Sequence, residues 1–212
     1  MQLNFQSSGG SIECDLQLPD GEGPFLGVVL CHPHPLMGGN MYNNVISAVA
    51  IQLRSLHIAT LRFNFRGVGN SEGSYNDGIG EIDDAVKAVR FLANYDNIQK
   101  DNVGLVGYSF GAGIALKAAL QDDTTKALSI IGRGRIDEDL NVRPDLPIQF
   151  VTGDQDKIIP QEDLSKFEST RTAPIKMEII PGADHFFVGL EQDAGHVVAN
   201  FFQDHFGLQT PQ

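Results

Sequence analysis

The run Phe25 to Cys31, FLGVVLC, is apolar almost without a break and β-branched at its centre. A strand of that composition must be covered on both faces, which makes it a central strand of a parallel sheet. The rest of the sequence supplies the cover. Helical periodicity over 42–55, 80–94, 110–121, 161–170 and 193–206 alternates with strand-like segments at 58–64, 103–108, 127–131, 147–152 and 175–180. In the second of these helices Ile82, Ala85, Val86, Val89 and Leu92 share one face, acidic Glu81, Asp83 and Asp84 open it, and Arg90 lies near its end. At the N-terminus, segments 2–7 and 11–18 flank Ser8-Gly9-Gly10, and Ile12, Cys14, Leu16 and Leu18 alternate with polar residues, which predicts a hairpin with one wet face. Strand and helix in alternation mean an α/β architecture: a mostly parallel, twisted sheet of about eight strands with helices on both faces. Ligands and chemistry in such sheets gather at the carboxyl ends of the strands.

With no internal repeat, low-complexity tract or long Pro/Gly/Ser linker, residues 1–212 read as one domain. Acidic residues outnumber Lys and Arg by 27 to 15, a net charge of −12 that argues against nucleic acid as a partner. The start, MQLNFQSSGG, has neither a basic segment nor an apolar signal core, and no stretch is apolar enough to span a bilayer, so the expected location is the cytoplasm. Cys14 and Cys31, both inside apolar or alternating runs, read as reduced core thiols.

One strand-turn-helix junction carries chemistry. Strand VGLV runs into Gly107-Tyr108-Ser109-Phe110-Gly111 and on into the helical AGIALKAAL, placing G-x-S-x-G where a nucleophile can be lifted above the sheet. A turn that sharp strains its central residue and leaves no room for flanking side chains, a requirement met by Gly107 and Gly111. A serine hydroxyl is a poor nucleophile without a base to take its proton and an acid to orient that base. On this kind of sheet the acid and then the histidine follow the serine in chain order. After strand IQFVTG come Asp154 and Asp156, and after strand KMEII comes His185, the one histidine beyond Ser109 that directly follows a strand. His196 and His205 fall inside the last helix and read as solvated or capping side chains. Acyl transfer also needs backbone N-H groups aimed at a developing oxyanion. The residue after the serine, Phe110, is one donor. In the loop Cys31-His32-Pro33-His34-Pro35 that follows the central strand, the prolines have no N-H, which leaves His34 as the second.

Other readings of these loops are weaker. His32 and His34 as metal ligands lack an accompanying H-E-x-x-H or cysteine cluster, so no metal is expected. Asn64 to Gly73 nearly spells a dinucleotide fingerprint, but its last glycine is one place late and no helix opens there, so no cofactor is expected either.

Taken together, C-H-P-H-P-L-x-G-G, R-G-x-G-x-S and G-Y-S-F-G resemble the α/β-hydrolase superfamily from about Phe25 to His205, and within it the small bacterial hydrolases related to dienelactone hydrolases and short-chain esterases. The resemblance implies a triad of Ser109, Asp156 and His185, because the family spacing G-x-x-D-x-x-(V/I)-P places Gly153 and Pro160 around Asp156 and leaves Asp154 outside. Where dienelactone hydrolases proper carry cysteine this sequence has Ser109, which argues against cyclic dienelactone substrates. Residues 132–146 are too few for the helical cap many relatives insert, and Arg133 and Arg135 within them read as a solvated turn. The expectation is a serine hydrolase acting on a small carboxylic ester or thioester, with amide hydrolysis or a non-catalytic binding role as alternatives.

Overall fold

The computed structural model describes residues 1–133, 143–158 and 175–207. In chain order the elements are β1 (Gln2–Ser7), β2 (Gly10–Gln17), β3 (Phe25–Cys31), α1 (Asn44–Ser55), β4 (Ala59–Phe63), α2 (Ile79–Ala93), β5 (Ile98–Tyr108), α3 (Phe110–Gln121), β6 (Thr125–Ile131), β7 (Ile148–Gly153), β8 (Ile175–Ile180) and α4 (Glu191–Phe206). A 3-10 turn, Pro35–Met37, interrupts the loop after β3. The strands form one eight-stranded sheet in the order β1-β2-β4-β3-β5-β6-β7-β8. β1, β2 and β4 pair antiparallel, and every pairing from β4 onward is parallel. The helix expected at 161–170, Pro160 and Arg135 lie outside the described residues.

The central strand explains its own composition. Val29 and Cys31 of β3 pack into the core under α2 and α3, while Leu26, Val28 and Leu30 pack with α1 and α4 on the other face. Apart from Phe25 at its start, which is partly exposed, every residue of β3 is buried. Gly104 of β5 lets α4 come close, since a Cβ there would lie 2.3 Å from the Phe202 ring. Both thiols are buried and free, with Cys14 pushed up to about 12 and Cys31 also raised, chiefly by burial.

Capping residues set the helix ends more sharply than periodicity does. The helix expected from 42 begins at Asn44 because the Asn43 side chain accepts from the N-H groups of Val45 and Ile46. Glu81, expected only to complement the dipole of α2, folds back to accept from Asn76 N and Gly78 N at 2.8 and 2.9 Å. β5 starts at Ile98, not 103, because Ile98 pairs with Phe25 across a register shift.

The hairpin departs from expectation in its second strand. β1 keeps a wet face at Gln2, Asn4 and Gln6, whereas β2 buries Glu13 and Asp15 along with Ile12, Cys14 and Leu16. Because β2 is clasped between β1 and β4, its polar side chains are covered by their partners. Asp15 accepts from Arg62 Nη2 at 2.6 Å, and Glu13 accepts from Asn64, Asn70 Nδ2 and the Asn70 backbone at 2.6 to 2.9 Å. Alternation in the sequence marked the two faces correctly but could not show that the polar one would be satisfied internally.

Candidate active site

Three strand ends converge on one point. Ser109 sits between β5 and α3 with φ 55° and ψ −113°, a left-handed backbone that a serine adopts only under constraint, at a cost on the order of 1–3 kcal/mol. Backbone contacts impose it. The Ser109 N-H donates to Ile131 O at 2.9 Å at the end of β6, and the Ser109 carbonyl accepts from Ala112 N at 3.0 Å inside α3. The flanking glycines are required by close approach: a Cβ at Gly107 would lie 2.2 Å from Gly111 O, and one at Gly111 would lie 2.4 Å from Cys31 O.

From this elbow the Ser109 hydroxyl stands 3.0 Å from His185 Nε2, and His185 Nδ1 stands 2.8 Å from Asp156 Oδ2. The Asp156 side chain is fully buried and that of His185 is 7% exposed, so the relay is shielded from water at its acidic end. A carboxylate can only accept, so Nδ1 carries the proton and Nε2 offers its lone pair to the serine. The second Asp156 oxygen accepts from Ile158 N at 2.8 Å. Asp154, the other acid in the same loop, is exposed and accepts from Gly182 N at 2.7 Å, tying the loop after β7 to the loop after β8. Gln155 N strengthens that tie by donating to Ala183 O at 2.9 Å.

Tyr108, the unassigned position of G-x-S-x-G, holds the histidine from behind. Its hydroxyl donates to His185 O at 2.9 Å. Burial, reinforced by Asp184, Asp156 and Glu191, pushes its pKa up to about 12, so it remains a donor at physiological pH. Sequence offered only one hint of this, a large aromatic immediately before the serine.

Phe110 opens α3, so its N-H has no acceptor within the helix. The His34 ring lies 4.7 Å from the Phe110 ring and 5.2 Å from that of Tyr75, bringing the loop after β3 against the elbow. His34 Nδ1 accepts from Leu36 N at 3.2 Å, so Nε2 bears the proton and donates to Tyr75 Oη at 3.3 Å. A recess of about 470 Å³ between Pro35, Leu36, Gly67, Val68, Ser74 and Tyr75 adjoins this aromatic group. Leu36, Met37, Ile158, Phe186 and Val188, all in the loops that bear site residues, expose more than half of their surface and give the site an apolar rim.

The other candidate side chains singled out in the sequence mostly contact protein groups away from the elbow. Arg66 makes a bidentate ion pair with buried Asp84 at 2.7 and 3.0 Å, and a Cβ at Gly69 would collide with Glu13. Both ring nitrogens of His32 are occupied by backbone partners, Pro33 O and Phe65 N. Arg133 lies over the first turn of α3, where a Cβ at Gly113 would meet its guanidinium. His196 is exposed, and His205 bonds Phe201 O at 2.8 Å within α4.

Comparison with known proteins bears on the fold and the family. An uncharacterised protein of Rickettsia prowazekii is 32% identical over 196 residues, 88% of this chain and 82% of that protein. A solved alpha-beta serine hydrolase homologue from Coxiella burnetii superposes with a TM-score of 0.82 at 32% identity, covering 94% of this chain and 96% of the other. A Xanthomonas campestris member of the α/β serine hydrolases without a lid superposes with a TM-score of 0.79 at 27% identity, over 100% and 96% of the two chains. In this chain residues 132–147 join β6 to β7, too few for a cap domain. The dienelactone hydrolase family model matches residues 74–203, most of the sheet's parallel half and the elbow with it, and the chain belongs to that family as a hydrolase of the α/β-hydrolase fold.

Proposed function

We propose that this enzyme is a serine esterase that cleaves a small carboxylic ester or thioester through an acyl-enzyme. The observation that carries the reading is the relay from Ser109 Oγ through His185 to buried Asp156, at 3.0 and 2.8 Å, set on a strained elbow. Ser109 Oγ attacks the ester carbonyl carbon while its proton passes to His185 Nε2. The carbonyl oxygen takes up the negative charge and is held by the Phe110 and His34 N-H groups. Collapse breaks the bond to the alcohol or thiol, which leaves with the proton from His185. Water then repeats the attack on the acyl-enzyme, giving its proton to His185, and the acid departs as Ser109 is restored. Asp156 holds the imidazole tautomer throughout and stabilises the transient imidazolium.

Treatment with a fluorophosphonate followed by peptide mass spectrometry tests this directly. One adduct is expected, on the peptide containing Ser109, with hydrolysis of p-nitrophenyl butyrate lost in parallel and absent from Ser109→Ala. Adducts on another serine, or full activity in the alanine variant, would refute the assignment.

A further inference from the structure

We infer that His32 is a positioning residue for the oxyanion site: its ring grips the Pro33 carbonyl and thereby aims the His34 N-H, an inference that rests on the acyl-enzyme reading above. Backbone chemistry alone settles the ring's protonation. Phe65 N-H can only donate, and it lies 3.1 Å from His32 Nε2, so Nε2 is the acceptor. The proton is then on Nδ1, which donates to Pro33 O at 2.7 Å. Pro33 O and His34 N belong to the same peptide unit, which is planar and trans, so its C=O and N-H vectors point in opposite directions. Holding the carbonyl inward against His32 turns the amide hydrogen outward.

Three further features keep this clamp rigid. His32 is 0% exposed and packs edge-on against Phe65 at 4.7 Å. Burial pushes its pKa down to about 4, only partly opposed by the bond to Pro33 O, so the ring stays neutral at physiological pH. Gly39 also closes against the same peptide, where a Cβ would lie 2.0 Å from Pro33 O. His32 touches no reacting atom, and its effect on the reaction runs through His34.

Two amide substitutions separate the two bonds. In His32→Asn the side-chain amide nitrogen stands where Nδ1 was and can keep the grip on Pro33 O. In His32→Gln the longer side chain reaches toward Phe65 N and gives up that grip. With p-nitrophenyl butyrate, His32→Asn should keep kcat close to wild type, and His32→Gln should lose about 10²-fold in kcat with little change in KM, the size seen when one oxyanion donor is lost. Wild-type kcat in His32→Gln, equal losses in both variants, or a loss confined to KM would overturn the proposal. Ser109→Ala, measured alongside, keeps the two readings apart: if it retains activity the acyl-enzyme reading fails, whereas if it is inactive the His32 variants bear on the clamp alone. Nitrogen NMR of the wild-type protein needs no variant to fold. A proton on His32 Nδ1 is expected, and one on Nε2 would rule out the grip on Pro33 O.

Discussion

At the scale of single residues, two carboxylates two positions apart do different work. The Asp156 side chain is buried and bonded to His185 Nδ1, while Asp154 is exposed and bonded to the Gly182 backbone. Replacing Asp156 by Asn removes the group that selects the Nδ1-H tautomer, and the equivalent change in a serine protease triad lowers kcat by about 10⁴-fold. Asp156→Asn is therefore expected to lose orders of magnitude in kcat, and Asp154→Asn far less, in steady-state assays with p-nitrophenyl butyrate. Equal losses would mean that the loop tie made by Asp154 matters as much as the relay.

Elements are joined in this fold by buried polar contacts as well as by apolar packing. Asp84 of α2 is fully buried, and its two oxygens accept from Arg66 Nε, Nη2 and backbone N, fastening the 64–73 loop to the helix. Asp84→Ala leaves a buried guanidinium with only the longer ion pair to Asp83 at 4.0 Å and should cost about 3–5 kcal/mol in urea unfolding. A cost below about 1 kcal/mol would place the pair among the weakly coupled surface bridges. On β4 the opposite situation holds: Thr60 Oγ1 is buried with no hydrogen-bond partner among the described residues. Thr60→Val removes that unsatisfied hydroxyl at nearly constant shape, so the same measurement should show stability unchanged or raised by about 1–2 kcal/mol. A clear loss would reveal that the hydroxyl has a partner.

Across the whole molecule, charge and shape make separate predictions. Burial alone would raise the pKa of Glu13, Asp15 and Asp122, but hydrogen bonds outweigh it: from Asn70 and Asn64 to Glu13, from Arg62, the N-terminus and Gln17 to Asp15, and from Thr124 and Arg90 to Asp122. Groups with folded values below their unfolded ones contribute stability that is present above about pH 4 and lost as pH falls through the folded values. His32 acts earlier. Its folded value of about 4 lies below the ordinary 6.5, so the unfolded chain takes up a proton that the folded chain refuses, and stability declines as pH drops through that interval. Urea midpoints should therefore fall between pH 7 and pH 4 and fall further below it, with His32→Asn flattening the upper part. A midpoint independent of pH from 7 to 4 would contradict this. The short connection between β6 and β7 predicts substrate size. With no cap domain over the elbow among the described residues, a long acyl chain should stay partly in water and gain less than the roughly 0.8 kcal/mol per methylene of full burial. p-Nitrophenyl acetate or butyrate should show higher kcat/KM than the decanoate, and a steady rise with chain length would show that the apolar rim encloses the chain after all.

Local rules were enough for the order of elements, the two-sided cover on Phe25 to Cys31, and the elbow, because each follows from periodicity or from glycine spacing within a few residues. His185, expected at the site from its place after a strand, lies 3.0 Å from Ser109 Oγ. Asp156 was separable from Asp154 only through family spacing, since two acids two residues apart in a loop look alike until burial distinguishes them. Tertiary structure decided what depends on distant partners. The polar face of β2 became interior because Asn64, Asn70 and Arg62 arrive from β4 and the loop beyond it. Tyr108 and Tyr75 joined the site because their hydroxyls meet His185 and His34 across 77 and 41 residues of chain. His32, which in the sequence is only a metal-ligand candidate without companions, was given its tautomer by Phe65, a strand away. A hydrogen bond fixes direction only when both ends are in place, and no single stretch of sequence contains both.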